Sequence, residues 1–291
     1  MADMTATTMA TFLPEQWSTL ASITYRQSAT LPPLMDRRWE PEIGVGNGDT
    51  VNIPTFAQNA RTDVTKRSTF GTGAAVTFVA DTESQVQLVV NQMAYYAFRM
   101  PFEMNVQKMA QYLTLLETSA PQAIARQVDY ELASDGTNGF DAFTAIGTDN
   151  VDVSEAVVLQ GEQNLNDNVA PLNGRYFVFS PATYTSLIQI EAFRNQLYAN
   201  SIGNLSGSKG PGYVGKILTL DCYMHADLEA GTSGKKNFIG QTEAIAFAEQ
   251  QSVKIEKAIN ITDGGFNEYM AYNCYGFKQV ESAFGREVDG K

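Results

Sequence analysis

The chain has one histidine, His225, and it stands three residues after Cys222, so metal or triad chemistry has to be weighed there first. Cys222-Tyr223-Met224-His225 offers two zinc-type ligands. A tetrahedral site needs a second close pair, and neither that pair nor a glutamate at helical spacing completes one. The expectation is a strand-end histidine in a surface loop beside a buried thiol. Cys274, on a second strand-like run, is likewise expected to be a free thiol, because nothing in the chain signals secretion. No Gly-x-Ser-x-Gly elbow, phosphate loop or Walker-type lysine appears. Asp129, Glu131 and Asp135 gather near one helix end, where solvated surface is expected and where acids are mildly unfavourable to the helix dipole. No residue is assigned a catalytic, cofactor-binding or metal-binding role, and the chain is expected to be no enzyme and to need no cofactor.

The elements that carry these residues fall into two lobes. With 291 residues, 44% of them apolar, the chain is near the length at which a single core stops growing. A formal charge of −12 opposes binding to a polyanion, so any contact with nucleic acid must be local. Residues 1–11 lack the charged and apolar regions of a signal peptide, and the apolar runs are too short for a membrane helix. That predicts a soluble protein. The first dozen residues read as an arm, and Trp17, Leu20, Ala21 and Tyr25 then fall on one helical face that ends at Pro32-Pro33.

Glycines at 44, 46 and 48 precede the strand 50–56, and a dinucleotide fingerprint would require strand, glycine turn and helix in that order. Residues 58–73 are polar and charged between the strand-like runs 50–56 and 74–80, which predicts a long hairpin whose flank needs outside support. A further strand, 85–93, alternates Val86, Leu88 and Val90. The longest helical pattern covers 103–134, with Leu113, Leu116, Ala120, Ile124, Val128 and Leu132 in one stripe, and Pro121 is expected to interrupt or bend it. Beyond the Asp135 to Gly139 stop signal, helices are predicted from Ser154 and from Ser180-Pro181, and strands over 175–179, 216–224, 237–240, 244–248, 253–259 and 269–280.

This order resembles the Hong Kong 97-type fold of tailed-bacteriophage major capsid proteins. Phe12-Leu13-Pro14-Glu15-Gln16-Trp17 resembles an opening found in one group of them. Gly46-Asn47-Gly48-Asp49-Thr50-Val51-Asn52-Ile53-Pro54 is similar to their approach to the extended loop. Asn168-Val169-Ala170-Pro171, with Gly174-Arg175 and then Ser180-Pro181, resembles the entry to their axial domain. Gly240-Gln241-Thr242-Glu243-Ala244-Ile245-Ala246-Phe247-Ala248 matches a further recurrent segment.

The resemblance implies an α+β fold divided into an N-terminal arm (1–45), an extended hairpin loop (46–84), a peripheral domain with a spine helix (85–145), an α/β axial domain (146–245) and a return to the peripheral domain (246–291). It implies a structural shell protein that assembles as pentamers and hexamers around phage DNA in the virion, after assembly in the bacterial cytoplasm. A separate scaffolding protein and a portal would be its partners, with no sequence-specific DNA contact and no membrane. An encapsulin-like nanocompartment is the alternative. Some relatives cross-link a lysine to a neighbour's asparagine; Lys66 is the lysine to compare, and no such reaction is assigned to it. Arg61, Lys66 and Arg67 at the hairpin tip are expected to meet acidic groups of a neighbouring copy, with Glu103, Glu117 and Asp129 of the spine helix as candidates. The glycine-rich stretch 201–215 is expected near the capsomer centre.

Overall fold

The computed structural model describes residues 31–43, 48–56, 83–102, 112–195, 211–262 and 265–291. In chain order the elements are β1 (Thr50–Phe56), β2 (Glu83–Val89), β3 (Gln92–Pro101), α1 (Tyr112–Ser134), β4 (Ala145–Gly147), α2 (Glu155–Asp167), β5 (Arg175–Phe179) and α3 (Pro181–Gln189). They are followed by β6 (Tyr213–Ile217), β7 (Leu220–Met224), β8 (Lys235–Gln241), β9 (Ile245–Asn260), β10 (Phe266–Gln279) and β11 (Gly285–Gly290). The strands form three sheets: β1-β2, β3-β10-β9 and β4-β11-β8-β5-β7-β6.

Helix α1 ends at Ser134, where Asp135 accepts the amides of Thr137 and Asn138 and a side chain on Gly139 would collide with the Leu132 carbonyl. Its buried row is Ala120, Ile124, Val128 and Leu132, four residues apart, so one stripe faces the core. The helix continues through Pro121, which corrects the expected interruption. The neighbouring turns keep their bonds while a single N–H is missing. Strand β5 is buried at all five positions because it lies between β8 and β7 in the middle of the six-stranded sheet. Helix α3 starts on Ser180, whose hydroxyl accepts the Thr183 amide, with Pro181 supplying a preset first turn.

The sequence Ala244-Ile245-Ala246-Phe247-Ala248 has a packing reason. Ile245 and Phe247 join the core built around α1, whereas Ala246 and Ala248 line a second cluster with Ile43 from the 3-10 turn Glu40–Ile43 and with Ile53, Leu88 and Val90 from the base of the β1-β2 ribbon. Alternate residues point to opposite faces, so this stretch is large on one side and small on the other. The small side lets the ribbon approach. Gly276 in β10 serves the same contact, since a Cβ there would come within 2.2 Å of the Val89 carbonyl oxygen. The base of the ribbon is therefore supported by its own chain.

Several predicted elements are corrected. The partner of β1 is β2, in the register Thr50 to Val89 through Phe56 to Glu83; the run 74–80 lies outside the described residues. The strand expected over 85–93 splits between β2 and β3. Residues 216–224 form two antiparallel strands, because Leu218 adopts φ 53° and Thr219, bonded to Glu162 at 2.6 Å, closes a turn. The runs 244–248 and 253–259 are one strand, β9. Within the run 246–291, β9 and β10 pair with β3, and β11 lies in the six-stranded sheet, antiparallel to β8 and parallel to β4. Only Val288 is a large apolar residue in β11, so the strand carried little hydrophobic pattern.

Candidate functional site

The three-stranded sheet carries exposed apolar side chains at one end. In β10, the central strand, Tyr269, Ala271, Asn273, Tyr275 and Phe277 are buried, as is Gly276, while the other residues between them are only half-buried. Ala271, Tyr275 and Phe277 join the core, where the Tyr275 hydroxyl donates to Glu131 of α1. Towards the other end of the sheet the cover is lost. Residues 254–259 of β9 are exposed at every position, and Tyr95 (63%), Ile259 (61%) and Ile261 (76%) present apolar side chains to solvent. Phe98 stacks on Tyr269 at 4.9 Å and Lys257 lies over the same ring, beside a concavity of about 470 Å³ that Arg99, Glu268 and Met270 also line. The strands thus project an apolar and mixed-charge platform beyond the core. That geometry suits contact with another macromolecule better than enclosure of a small substrate.

The residues singled out for chemistry are held apart. His225 is 3% exposed, which corrects the surface-loop expectation: its Nε2 lies 2.9 Å from Asp129 Oδ2 and its Nδ1 accepts the Asp227 amide. Cys222 sits in a different apolar cluster, its thiol donating to the Leu220 carbonyl, and burial pushes its pKa well up. A protonated thiol without a neighbouring base is a poor nucleophile. Cys222 and Cys274 are both free. Among the described residues no group of three His, Cys, Asp or Glu could hold a metal ion, and no helix is long and apolar enough to cross a membrane.

Asp129 requires a second correction. It is fully buried and bonded within its own chain to His225 and to the Leu31 amide, so it cannot meet a neighbour's hairpin tip. Arg61, Lys66, Arg67 and Glu103 lie outside the described residues, and the side chain of Glu117 does too.

Three polar sites were not foreseen. Arg175, 2% exposed, donates to the Ala170 and Pro171 carbonyls and to Asn166, stitching the end of α2 to β5. Asn237 accepts the Ser180 amide and donates to the Val288 carbonyl, linking α3 to β11. Glu287 is buried near Lys236, which also contacts Asp141; burial pushes the Glu287 carboxyl up to about 8, with Asp141 adding to the rise and Lys236 opposing it. An arginine opening an otherwise apolar strand was the one signal available for the first.

No protein-family model matches the chain, and no curated protein matches its sequence. Solved structures do. A chain from Mycobacterium phage Che8 superposes with a TM-score of 0.72 at 19% identity, covering 95% of this chain and 97% of that one. A chain of the asymmetric unit of the bacteriophage PhiM1 mature capsid gives 0.66 at 10% identity, covering 96% and 92%. One from the capsid structure of the cyanophage P-SCSP1u gives 0.65 at 12% identity, covering 98% and 94%. The chain has the α+β fold of these phage chains.

Proposed function

We propose that this chain is a tailed-phage major capsid protein of the Hong Kong 97 type, whose copies assemble as pentamers and hexamers into an icosahedral shell. The observation that carries the reading is the end-to-end likeness to phage chains, 95% of this chain against 97% of the Che8 chain. The same likeness favours a phage shell over an encapsulin. In this reading the shell encloses double-stranded DNA without sequence-specific contacts, as the acidic balance of −12 suggests. A scaffolding protein and a portal are its partners, and assembly takes place in the host cytoplasm. The role is structural, and no catalytic step is assigned.

The ribbon, platform and long helix would supply contacts between copies. Arg61, Lys66 and Arg67 would pair with a neighbour's acidic surface, with Glu103 and Glu117 still candidates and Asp129 withdrawn. Exposed pairs contribute only ~0–1 kcal/mol each, so repetition around the shell must provide the effect. The stretch 201–215 would lie near the capsomer centre and adopt different paths in five- and six-membered rings. Electron microscopy and light scattering of the expressed chain, with and without scaffold, test the reading. Closed particles are expected. A chain that stays monomeric across concentration, salt and added scaffold would refute it.

A further inference from the structure

The geometry points to a proton-operated joint at His225, through which acidification detaches the turn after β7 from the imidazole while Asp129 keeps its hold on that ring. His225 follows β7 directly, its amide bonded to the Phe179 carbonyl at 3.0 Å, and it is the only histidine in the chain. Its Nδ1 accepts the Asp227 amide at 3.2 Å. A nitrogen that accepts an N–H bears a lone pair, so the ring proton is on Nε2 and is donated to Asp129 Oδ2 at 2.9 Å. The other Asp129 oxygen accepts the Leu31 amide at 3.2 Å. One fully buried carboxylate thereby ties α1 to the end of β7 and to the chain at Leu31.

A second proton on the imidazole has opposing effects at its two nitrogens. On the Nε2 side it places a positive ring against the Asp129 carboxylate and strengthens that bond. On the Nδ1 side the ring can only donate, and it then faces an amide that also only donates. That contact must open. The charged groups on the surrounding elements have other partners: Arg126 of α1 bonds the Asp227 carboxylate at 2.6 Å, Lys235 donates to the Leu228 carbonyl, and Glu229 bonds Tyr130. Leu228, 1% exposed, belongs to the same apolar cluster as the α1 stripe. The Asp227 amide therefore loses its acceptor and the turn at 226–228 loses one of its ties, while the Arg126–Asp227 pair, Leu228 and the Asp129 bond remain. The inference concerns the folded chain and does not depend on shell assembly.

Because there is only one histidine, imidazole ¹⁵N labelling of the full chain gives one pair of ring signals, in solution or by magic-angle spinning on particles. The measurement runs from about pH 8 to about pH 5. At the start Nε2 should carry the proton and Nδ1 none. On acidification Nδ1 should gain a proton at the same midpoint at which the Asp227 amide loses exchange protection, while the Leu31 amide keeps its own. A proton on Nδ1 at the start, protonation without loss of protection at Asp227, or a neutral ring until unfolding would each overturn the joint. His225→Gln should abolish the pH step in exchange at 226–228, and a surviving step counts against the inference. If that variant fails to fold, Asp129→Asn removes the negative charge beside Nε2 and should displace the midpoint of the Asp227 exchange step relative to the parent. An unchanged midpoint would reject the role given to Asp129.

Discussion

At the scale of single residues, two positions hold conformations or charges that the fold tolerates at a cost. Val169 follows the C-cap of α2 at φ 55°, with its amide bonded to Asn166 and the Ala170 amide bonded back to Leu165. This is the left-handed helix stop that normally takes glycine or asparagine, and a β-branched residue is strained there. The side chain is 74% exposed, so little packing offsets the strain. Val169→Asn should raise stability by about 0.5–1 kcal/mol in urea unfolding of the unassembled subunit. Glu287 is a problem of charge. Its folded pKa of about 8 exceeds the ordinary carboxyl value, so the folded state binds the proton more tightly than the unfolded one. Its favourable contribution is complete below the ordinary carboxyl range and is lost as pH rises through about 8. Glu287→Gln should gain on the order of 1–3 kcal/mol relative to the parent between about pH 5 and pH 8, with most of the gain at the upper end. Equal unfolding midpoints at both pH values would count against a buried, proton-retaining carboxyl.

At the scale of elements, legibility followed hydrophobic pattern. Helix α1 could be read because its apolar residues recur every four positions, and β5 because five consecutive residues are buried between two neighbours. Strand β11 could not, because Gly285-Arg286-Glu287-Val288-Asp289-Gly290 is held by ladder bonds and by one buried valine. The split of β6 from β7 depends on Leu218 adopting a left-handed conformation, which propensity does not foresee. Asp129 was misread for a related reason: a carboxylate near a helix end normally faces water, and its partners lie 96 and 98 positions away in sequence. Small residues carry their information through what approaches them. Ala246 is completely buried against the ribbon base, so Ala246→Leu should destabilise the subunit by about 1–3 kcal/mol through overpacking. Hydrogen exchange should speed up over 83–90 before it changes in α1, and uniform acceleration would mean that the ribbon is not a separately docked element.

At the scale of the whole molecule, the largest and best-buried side chains lie around α1, β5, β8 and the first half of β9, while among the described residues the apolar clusters do not extend over the far half of the three-stranded sheet. Sheets of a few strands need an apolar face against something to be stable on their own. Here the continuous strands β9 and β10 anchor one end in the core, and the other end is left as platform. The sequence made the strands visible but not the exposure, because Ile255 and Ile259 read like core positions until the register places them opposite Ala271 and Asn267 at a sheet edge. Ile255 is 40% exposed and Ile259 61%. Apolar side chains that water reaches in the subunit and that a partner covers in an assembly contribute to association and little to folding. Replacing both with lysine should therefore lower the unfolding midpoint of the isolated subunit only slightly, since water already reaches a large part of each side chain, while placing two charges where a dry contact is needed. Particle yield by sedimentation should drop by at least about tenfold, the ratio that each ~1.4 kcal/mol of lost association energy produces. Normal yield from a stable double variant would show that this end of the sheet faces solvent in the assembled state, and the contacts between copies would then have to come from the ribbon and the long helix.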